Sequence, residues 1–233
     1  MPMISALSRL SPLGHRGGGM DAGEKAIRDG STVAWYDFTA TSTLTDDGAG
    51  VISKWKDKLD SGHDLIASGT QRPTLGTTGI TFNGTTNEMI CADFGYEQPE
   101  MIYMVIDLLV WTKSKYIMDG TTAGGGLMAC YAVSPRIRIN AGSNILNDGF
   151  IIGEFGVVRA LFNGANSKFW FNDSGYAIAN VGTSDMGGIT LGNYGGLGNL
   201  RANFIIKELV CRNVVDSEAD EAAIYDYLKK KVT

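Results

Sequence analysis

The acidic side chains are the residues of this chain that could carry out glycoside hydrolysis, which needs two carboxylates flanking the scissile bond. Four glutamates lie in or beside predicted strands. None is followed two positions later by a second acidic residue, the spacing that would place both carboxylates on one face of a strand. These residues are Glu88, Glu100, Glu154 and Glu208. The pattern therefore favours a protein that is not an enzyme.

Nucleophilic and zinc chemistry find equally few candidates. The chain has two histidines, His15 and His63, one near the N-terminus and one in a predicted turn. It contains no Gly-x-Ser-x-Gly nucleophile elbow, and no ligands have the spacing of a zinc site. Both histidines are therefore expected to be solvated surface residues.

Aromatic residues in loops are the candidates for binding a sugar ring. Tyr194 lies between Asn193 and a pair of glycines, in a predicted loop that would expose the ring. Tyr131 and Trp111 are the other aromatic candidates, and Asn193 is the adjacent hydrogen-bonding residue. The alternative is that these rings belong to the core, as expected for the tryptophans within strands.

Short strands must position these residues. The chain has 31 glycines but 5 prolines, and its apolar residues recur in about twelve strand-length segments separated by turn residues. Residues 101–110 form a nearly continuous apolar run, which predicts a strand covered on both faces. Residues 157–162 and 167–171, joined through Asn163 and Gly164, predict a hairpin. This pattern is typical of an all-β sandwich.

The pattern over residues 217–230 predicts a helix. Ser217 and Asp220 have the spacing of an N-terminal capping box. Ala223, Ile224, Tyr227 and Leu228 form one apolar stripe, which we expect to pack on the surface of the sandwich.

Charge and cysteine content exclude several classes of protein. The net charge is −5, and no dense run of basic residues occurs before the terminal lysines, so we expect no nucleic-acid binding. The three cysteines, Cys91, Cys130 and Cys211, lie among apolar residues and predict buried free thiols in a reducing compartment. The sequence predicts neither a secretory signal nor a membrane-spanning segment.

The first thirty residues differ in composition from the rest. Residues 1–13 mix small apolar residues with serine and proline, a glycine-rich joint follows, and residues 21–29 have the pattern of a short helix. We interpret residues 1–30 as an extended N-terminal arm that docks on a neighbouring molecule, and residues 31–233 as the folded domain.

Four pairs of segments occur in a characteristic order over residues 31–233. They are AWYD at 34–37 with SKWKD at 53–57, QRPT at 71–74 with ITFNG at 80–84, LFNG at 161–164 with FWFN at 169–172, and KEL at 207–209 with DSE at 216–218 before the helix. This order resembles the concanavalin A-like lectin/glucanase superfamily, in its laminin-G-like branch. The resemblance implies a jelly roll of two antiparallel sheets.

The resemblance also bears on metals and catalysis. Several members of the superfamily bind calcium at the rim of the sandwich through Asp, Asn and carbonyl oxygens. The candidates here are Asp119, Asp148 and Asp173, with ordinary turn residues as the alternative, and no other cofactor is expected. The glucanases of the superfamily carry a Glu-x-Asp-x-x-Glu pattern on one strand, and this sequence lacks it.

A lectin-like fold, a glycine-jointed arm and the absence of a secretory signal together predict a structural protein of a bacteriophage particle. Such a protein would be made in the host cytoplasm and displayed on the virion, as a homo-oligomer anchored to other virion proteins by its arm. It would bind surface glycans through its sandwich. The alternatives are a soluble, lectin-like carbohydrate-binding protein and a glycoside hydrolase.

Overall fold

Two antiparallel β-sheets lie face to face in the computed structural model, which describes residues 19–122, 125–130, 135–147, 149–195 and 198–232. The two helices are α1 (Ala22–Ile27) and α2 (Glu218–Lys229). The strands, in chain order, are β1 (Thr32–Asp37), β2 (Leu44–Asp46), β3 (Ile52–Trp55), β4 (Leu65–Ile66), β5 (Thr74–Leu75), β6 (Ile80–Asn83), β7 (Met89–Tyr96), β8 (Glu100–Val110), β9 (Lys115–Asp119), β10 (Leu127–Cys130), β11 (Ile137–Asn140), β12 (Asn144–Asn147), β13 (Phe155–Phe162), β14 (Ser167–Phe171), β15 (Ala177–Ala179), β16 (Gly187–Leu191) and β17 (Asn203–Arg212).

The strand order confirms the predicted two-sheet antiparallel sandwich. The first sheet has the order β15-β14-β13-β8-β17-β6-β5, with β1 also paired to β17. The second sheet has the order β12-β11-β10-β9-β16-β7-β4-β3-β2. The described residues contain more strands than the sequence predicts, in part because β2, β4 and β5 are two or three residues long and carry no readable alternation.

The central strand β8 is covered on both faces, as predicted. Side chains of even number face the second sheet and join the main core, as Ile102 and Met104 do. Side chains of odd number, including Tyr103 and Val105, face outward into a second apolar cluster. Burial on both faces explains why this strand is a continuous apolar run rather than an alternating one.

Both helices pack on the outer face of the first sheet. Ile27, Ile224 and Leu228 are fully buried there. The start of α2 is the predicted cap, since the Asp220 N–H donates to Ser217 Oγ at 3.1 Å. The helices touch closely, because a Cβ on Gly23 would lie 2.4 Å from the Tyr227 Cβ.

Part of the segment that the sequence assigns to the arm packs against the folded body. Residues 22–27, which the sequence assigns to the arm, form α1 and join the apolar cluster beneath α2. Arg212 ties this segment down, with Nη1 donating to the Ala26 carbonyl at 2.7 Å and Nη2 contacting Asp29 at 2.9 Å. Residues 1–18 of the arm lie outside the described residues, and the division into arm and domain stays a prediction.

Two further predictions concern the whole chain. Cys91 and Cys211 are buried free thiols, while the side chain of Cys130 lies outside the described part. Within the described ranges, neither helix has the length and apolar character needed to cross a membrane. α1 and α2 cover part of the outer face of the first sheet, and two cavities with polar walls lie at one end of the sandwich and over the second sheet.

Candidate functional site

A polar cavity of about 390 Å³ opens at one end of the sandwich. Three stretches of chain line it, namely the loop after β4, the turn after β6 and the segment just before β17. The lining residues are Ser68, Gly69, Thr70, Gln71, Thr85, Thr86, Asn199 and Arg201. All but the glycine present a hydroxyl, an amide or a guanidinium, so the cavity can recognise a ligand only through hydrogen bonds.

An asparagine-glycine turn places one wall of the cavity. Asn83 Oδ1 accepts from the backbone N–H groups of Thr85 and Thr86, both at 2.9 Å. Gly84 follows Asn83 with φ of +71°, a conformation that glycine adopts at little cost. Asn87 then joins two walls, because its Nδ2 donates to the Arg72 carbonyl at 2.7 Å. These bonds hold the walls in place without any ligand.

The floor of the cavity is a buried ion pair. Arg201 Nη2 lies 3.0 Å from Glu88 Oε1, and the two residues are 9% and 5% exposed. Glu88 also accepts from the side-chain amides of Gln71 and Asn193, one on each oxygen. Removing either charge would leave the other buried without its partner, which is costly, so the pair acts as a rigid unit.

The Nε atom of Arg201 has no hydrogen-bond partner within the described part of the chain. Its Nη1 donates to Asn199 Oδ1 at 2.9 Å and its Nη2 contacts Glu88, while Nε is buried and has no partner among the residues that the structure describes. Such an unpaired buried donor is uncommon in folded proteins. Since the atom is buried, it belongs to the floor of the cavity and not to its open wall.

The predicted sugar-contacting residues gather near this cavity, with different roles. Tyr194 is half-buried against Tyr116, with ring centroids 4.6 Å apart, so its ring is only partly available. Asn193 is 1% exposed, and its Nδ2 donates to Glu88 and to the Gly198 carbonyl. Asn193 therefore positions Glu88. Whether either residue contacts a sugar stays a prediction.

The two remaining aromatic candidates are placed less favourably. Trp111 is half-buried against the main core just after β8, at the same end of the first sheet as Asn203, the first residue of β17. Tyr131 lies outside the described residues. The sequence missed Glu88 and Arg201 as a pair because they are distant in the chain and only the fold brings them together.

The three calcium candidates are not brought together. Asp119 is fully buried in β9 of the second sheet. Asp173 lies near α2 on the other side of the molecule, where its bond to Lys229 at 2.7 Å lowers the pKa of its carboxyl. Asp148 lies outside the described residues. Over the described ranges, no three His, Cys, Asp or Glu residues are grouped as metal ligands.

A carboxylate pair does form elsewhere, which the search along single strands did not find. Asp37 of β1 and Glu208 of β17 are directly opposite each other. Glu208 is fully buried, and burial raises the pKa of its carboxyl to about 7. Lys231 contacts both carboxylates, and Trp35 Nε1 donates to Glu208 at 2.6 Å. Both carboxylates are buried, and Lys231, which contacts them, also lines a cavity of about 290 Å³. The pair anchors the chain after α2.

A second, larger cleft of about 530 Å³ lies over the second sheet, between β3, β4 and β7. Its walls include Ile66 and the Lys54–Asp64 ion pair, which has an N–O distance of 3.1 Å. His63 was expected to be solvated, but it stacks on Phe94 at 3.9 Å and its Nδ1 lies 2.7 Å from the Val33 carbonyl oxygen. His63 is thus held by its neighbours rather than free to act as a base.

Comparisons with known proteins support the fold and no closer relationship. No family model matches the chain, and no curated protein matches it. Among solved structures, Trypanosoma rangeli sialidase in complex with sialic acid is 11% identical with a TM-score of 0.63, covering 89% of this chain and 34% of the sialidase. A GH54 α-L-arabinofuranosidase soaked with 4-nitrophenyl α-L-arabinofuranoside is 12% identical with a TM-score of 0.66, covering 91% and 66%.

A third similar structure is an arabinofuranosidase complexed with arabinofuranosyl-α-1,2-xylobiose. It is 15% identical with a TM-score of 0.61, covering 78% of this chain and 51% of the enzyme. The chain thus spans about a third of the sialidase and about half to two thirds of the two arabinofuranosidases. At these identities the likeness establishes a β-sandwich fold that sugar-processing proteins also use.

These likenesses overturn the functional expectation drawn from the sequence. The chain was expected to be a non-enzymatic module of a phage virion, but the structures that resemble it are glycoside hydrolases. The expectation of a virion protein was wrong because a location was inferred from a fold and from features of the N-terminal residues. A fold does not specify where a protein works. The expected oligomer and the virion location remain untested predictions.

Proposed function

We propose that this chain is a carbohydrate-binding β-sandwich domain, which holds a sugar in the cavity above the Glu88–Arg201 ion pair and does not hydrolyse it. The observation that carries the proposal is the cavity itself, which is walled by hydroxyl and amide side chains and closed at its floor by a buried ion pair. We also propose that the domain belongs to the laminin-G-like branch of the concanavalin A-like superfamily.

The size and chemistry of the cavity suit a sugar. Its volume of about 390 Å³ falls within the range of small-molecule sites. Hydroxyl and amide groups both donate and accept hydrogen bonds, as sugar hydroxyls do. Because Asn83 and Asn87 fix the walls in advance, little conformational entropy would be lost on binding.

The structural neighbours give independent support for the ligand class. The sialidase and arabinofuranosidase structures are described as complexes with sialic acid or with arabinofuranosyl compounds. Since the chain spans only part of those enzymes, their activities are not transferred to it. What they support is that sandwiches of this kind occur in proteins that bind sugars.

Binding without hydrolysis follows from the carboxylates at the cavity. Hydrolysis by the usual mechanisms requires two carboxyl groups about 5–10 Å apart across the scissile bond. Among the described residues that line or floor the cavity, Glu88 is the single carboxylate, and Arg201 and two amides occupy its oxygens. A glycoside hydrolase is the second candidate, favoured by the neighbours alone.

The test is a binding screen on the full chain with matched variants. An array of plant, bacterial and animal glycans identifies ligands, and calorimetry measures their Kd. We expect Thr85→Val to weaken binding about tenfold, because it removes a hydroxyl from the wall. Thr77→Val changes a similarly exposed threonine away from the cavity and should leave the Kd unchanged.

Two results would contradict the proposal. The first is failure to bind any glycan of the array, with the chain shown to be folded by its thermal transition. The second is release of reducing ends from a bound glycan that is abolished by Glu88→Gln, since that would make Glu88 catalytic. Equal weakening by Thr85→Val and Thr77→Val would move the binding site away from this cavity.

A further inference from the structure

We infer that the sugar bound by this cavity is uncharged, so that neutral glycans bind and those whose binding unit carries a carboxylate, such as sialic or uronic acids, are rejected. This inference rests on the proposed function and narrows it to one class of ligand.

The first argument is charge balance. Among the described residues lining the cavity, Arg201 carries the one positive charge, and Glu88 beneath it compensates that charge at 3.0 Å. The remaining lining side chains are neutral. A second cation, Lys115, donates to the Asn199 carbonyl at 2.8 Å and does not line the cavity. An anionic ligand would thus gain no net attraction here and would meet the Glu88 carboxylate.

The second argument is the geometry of the guanidinium. Arginine recognises a carboxylate best through two parallel N–H donors. In Arg201, Nη2 is bonded to Glu88, Nη1 is bonded to Asn199, and Nε is buried, so each guanidinium nitrogen is either engaged or covered. A carboxylate would have to share Nη2 with Glu88, which would bring two like charges together.

The third argument is the pattern of unused groups. The hydroxyls of Thr70 and Thr85 face solvent and make no hydrogen bond within the described part of the chain. Each can donate to one partner and accept from another. A neutral sugar ring, whose neighbouring hydroxyls both donate and accept, matches this set. A carboxylate, which only accepts, would leave the accepting capacity of both threonines unused.

The experiment compares ligand pairs that differ in one charge. The array carries each neutral oligosaccharide beside its counterpart oxidised to the uronic acid at C6, together with lactose beside sialyllactose. For every pair that binds, we expect the neutral member to have a Kd at least tenfold lower. We also expect its Kd to stay constant within a factor of about two between about 50 and 500 mM NaCl, because no net charge is attracted.

A variant reverses the preference. Glu88→Gln keeps the size of the side chain and removes its charge, leaving Arg201 uncompensated beneath the cavity. We expect the ratio of the acidic to the neutral Kd to fall at least tenfold in this variant, and the acidic ligand to become salt-dependent. Glu97→Gln removes an exposed charge elsewhere and should leave the ratio unchanged. If Glu88→Gln does not fold, the ratio of the acidic to the neutral Kd in the unaltered chain still decides.

The outcomes separate this inference from the proposed function. If acidic glycans bind more tightly than their neutral counterparts, or if salt abolishes binding, the inference is overturned while sugar binding stands. If no member of any pair binds, the proposed function fails and the inference fails with it. If neutral glycans are preferred and Thr85→Val weakens their binding, both the inference and the proposed function are supported.

Discussion

Glu100 carries a carboxyl group into the edge of the main core, and its titration should control stability above neutral pH. The residue is fully buried at the start of β8. The Met186 N–H donates to its Oε1 at 2.6 Å, and its Oε2 has no partner among the described residues. Burial raises the pKa of this carboxyl from 4.5 to about 9, and the charges of Asp185 and Glu97 add to the effect.

The sign and size of the effect follow from linkage. Because the folded pKa is the higher one, the full stability is present below pH 4.5 and is lost as pH rises toward 9. Over that range the unfolded chain releases a proton that the native chain retains. Each pH unit costs about 1.4 kcal/mol, so the loss reaches about 3 kcal/mol by pH 7. That is a large part of the 5–15 kcal/mol typical of a folded domain.

Glu100→Gln removes this titration while keeping an oxygen for the Met186 N–H. We expect the stability of the variant relative to the unaltered chain to rise by about 1.4 kcal/mol per pH unit between about pH 5 and pH 8. Urea unfolding followed by tryptophan fluorescence, at about pH 5, 6, 7 and 8, measures this slope. At low pH the unfolding free energies of the two proteins differ by an amount set by the hydrogen bonds of an amide and of a protonated carboxyl. The change of that difference with pH reports the titration of Glu100.

The control is Glu218→Gln, which removes a solvent-exposed carboxylate whose charge is not among those that raise the pKa of Glu100. Its stability should stay parallel to that of the unaltered chain over the whole pH series. A Glu100→Gln difference that does not change with pH would refute the reasoning. It would mean that Glu100 has the same proton occupancy in the folded and unfolded chain despite its burial.

Two further substitutions test the site and the helix pair. Arg201→Ala should destabilise the chain by about 3–5 kcal/mol in urea unfolding, because it leaves the Glu88 carboxylate buried without its partner. Adding Glu88→Gln should recover part of this loss. Additive losses from the two substitutions would argue against the ion pair. Gly23→Ala should lower the free energy of unfolding by about 1–3 kcal/mol, because the new Cβ would lie 2.4 Å from the Tyr227 Cβ. Gly19→Ala is the control and should be neutral, because its Cβ would meet no atom within 4 Å. Equal effects of the two substitutions would argue against the close contact of α1 and α2.

The elements that could be predicted from the sequence are those whose pattern is local. The run at 101–110 became β8, and the Ser217 cap began α2 one residue later. In each case the hydrophobic pattern or the cap lies within one short stretch of chain. The fold class followed because such stretches are numerous and alternate with glycine-rich turns.

The elements that could not be predicted depend on contacts between distant parts of the chain. The helix α1 has six residues, too few to be stable alone, and is held by burial of Ile27 and by Arg212. The strands of two or three residues exist only because longer neighbours pair with them. Their sequences contain no period to detect.

In the candidate site too, local features could be predicted from the sequence and contacts between distant residues could not. Sequence reasoning reached the loop that holds Asn193 and Tyr194 through its composition, yet it assigned Asn193 to the ligand rather than to Glu88. The pairing of Glu88 with Arg201, and of Asp37 with Glu208, depends on strand register, which one sequence does not reveal. The function inferred from features of the N-terminal residues was wrong for a different reason, since it relied on no site at all.

The measurement that tests the central claim most directly is calorimetric titration of the full chain with the neutral glycan selected by the array, alongside Thr85→Val and Thr77→Val. Sugar binding in the cavity predicts a defined Kd for the unaltered chain, about a tenfold weaker Kd for Thr85→Val, and no change for Thr77→Val. A Kd that is the same for all three proteins, or no heat of binding from a folded chain, would contradict the account.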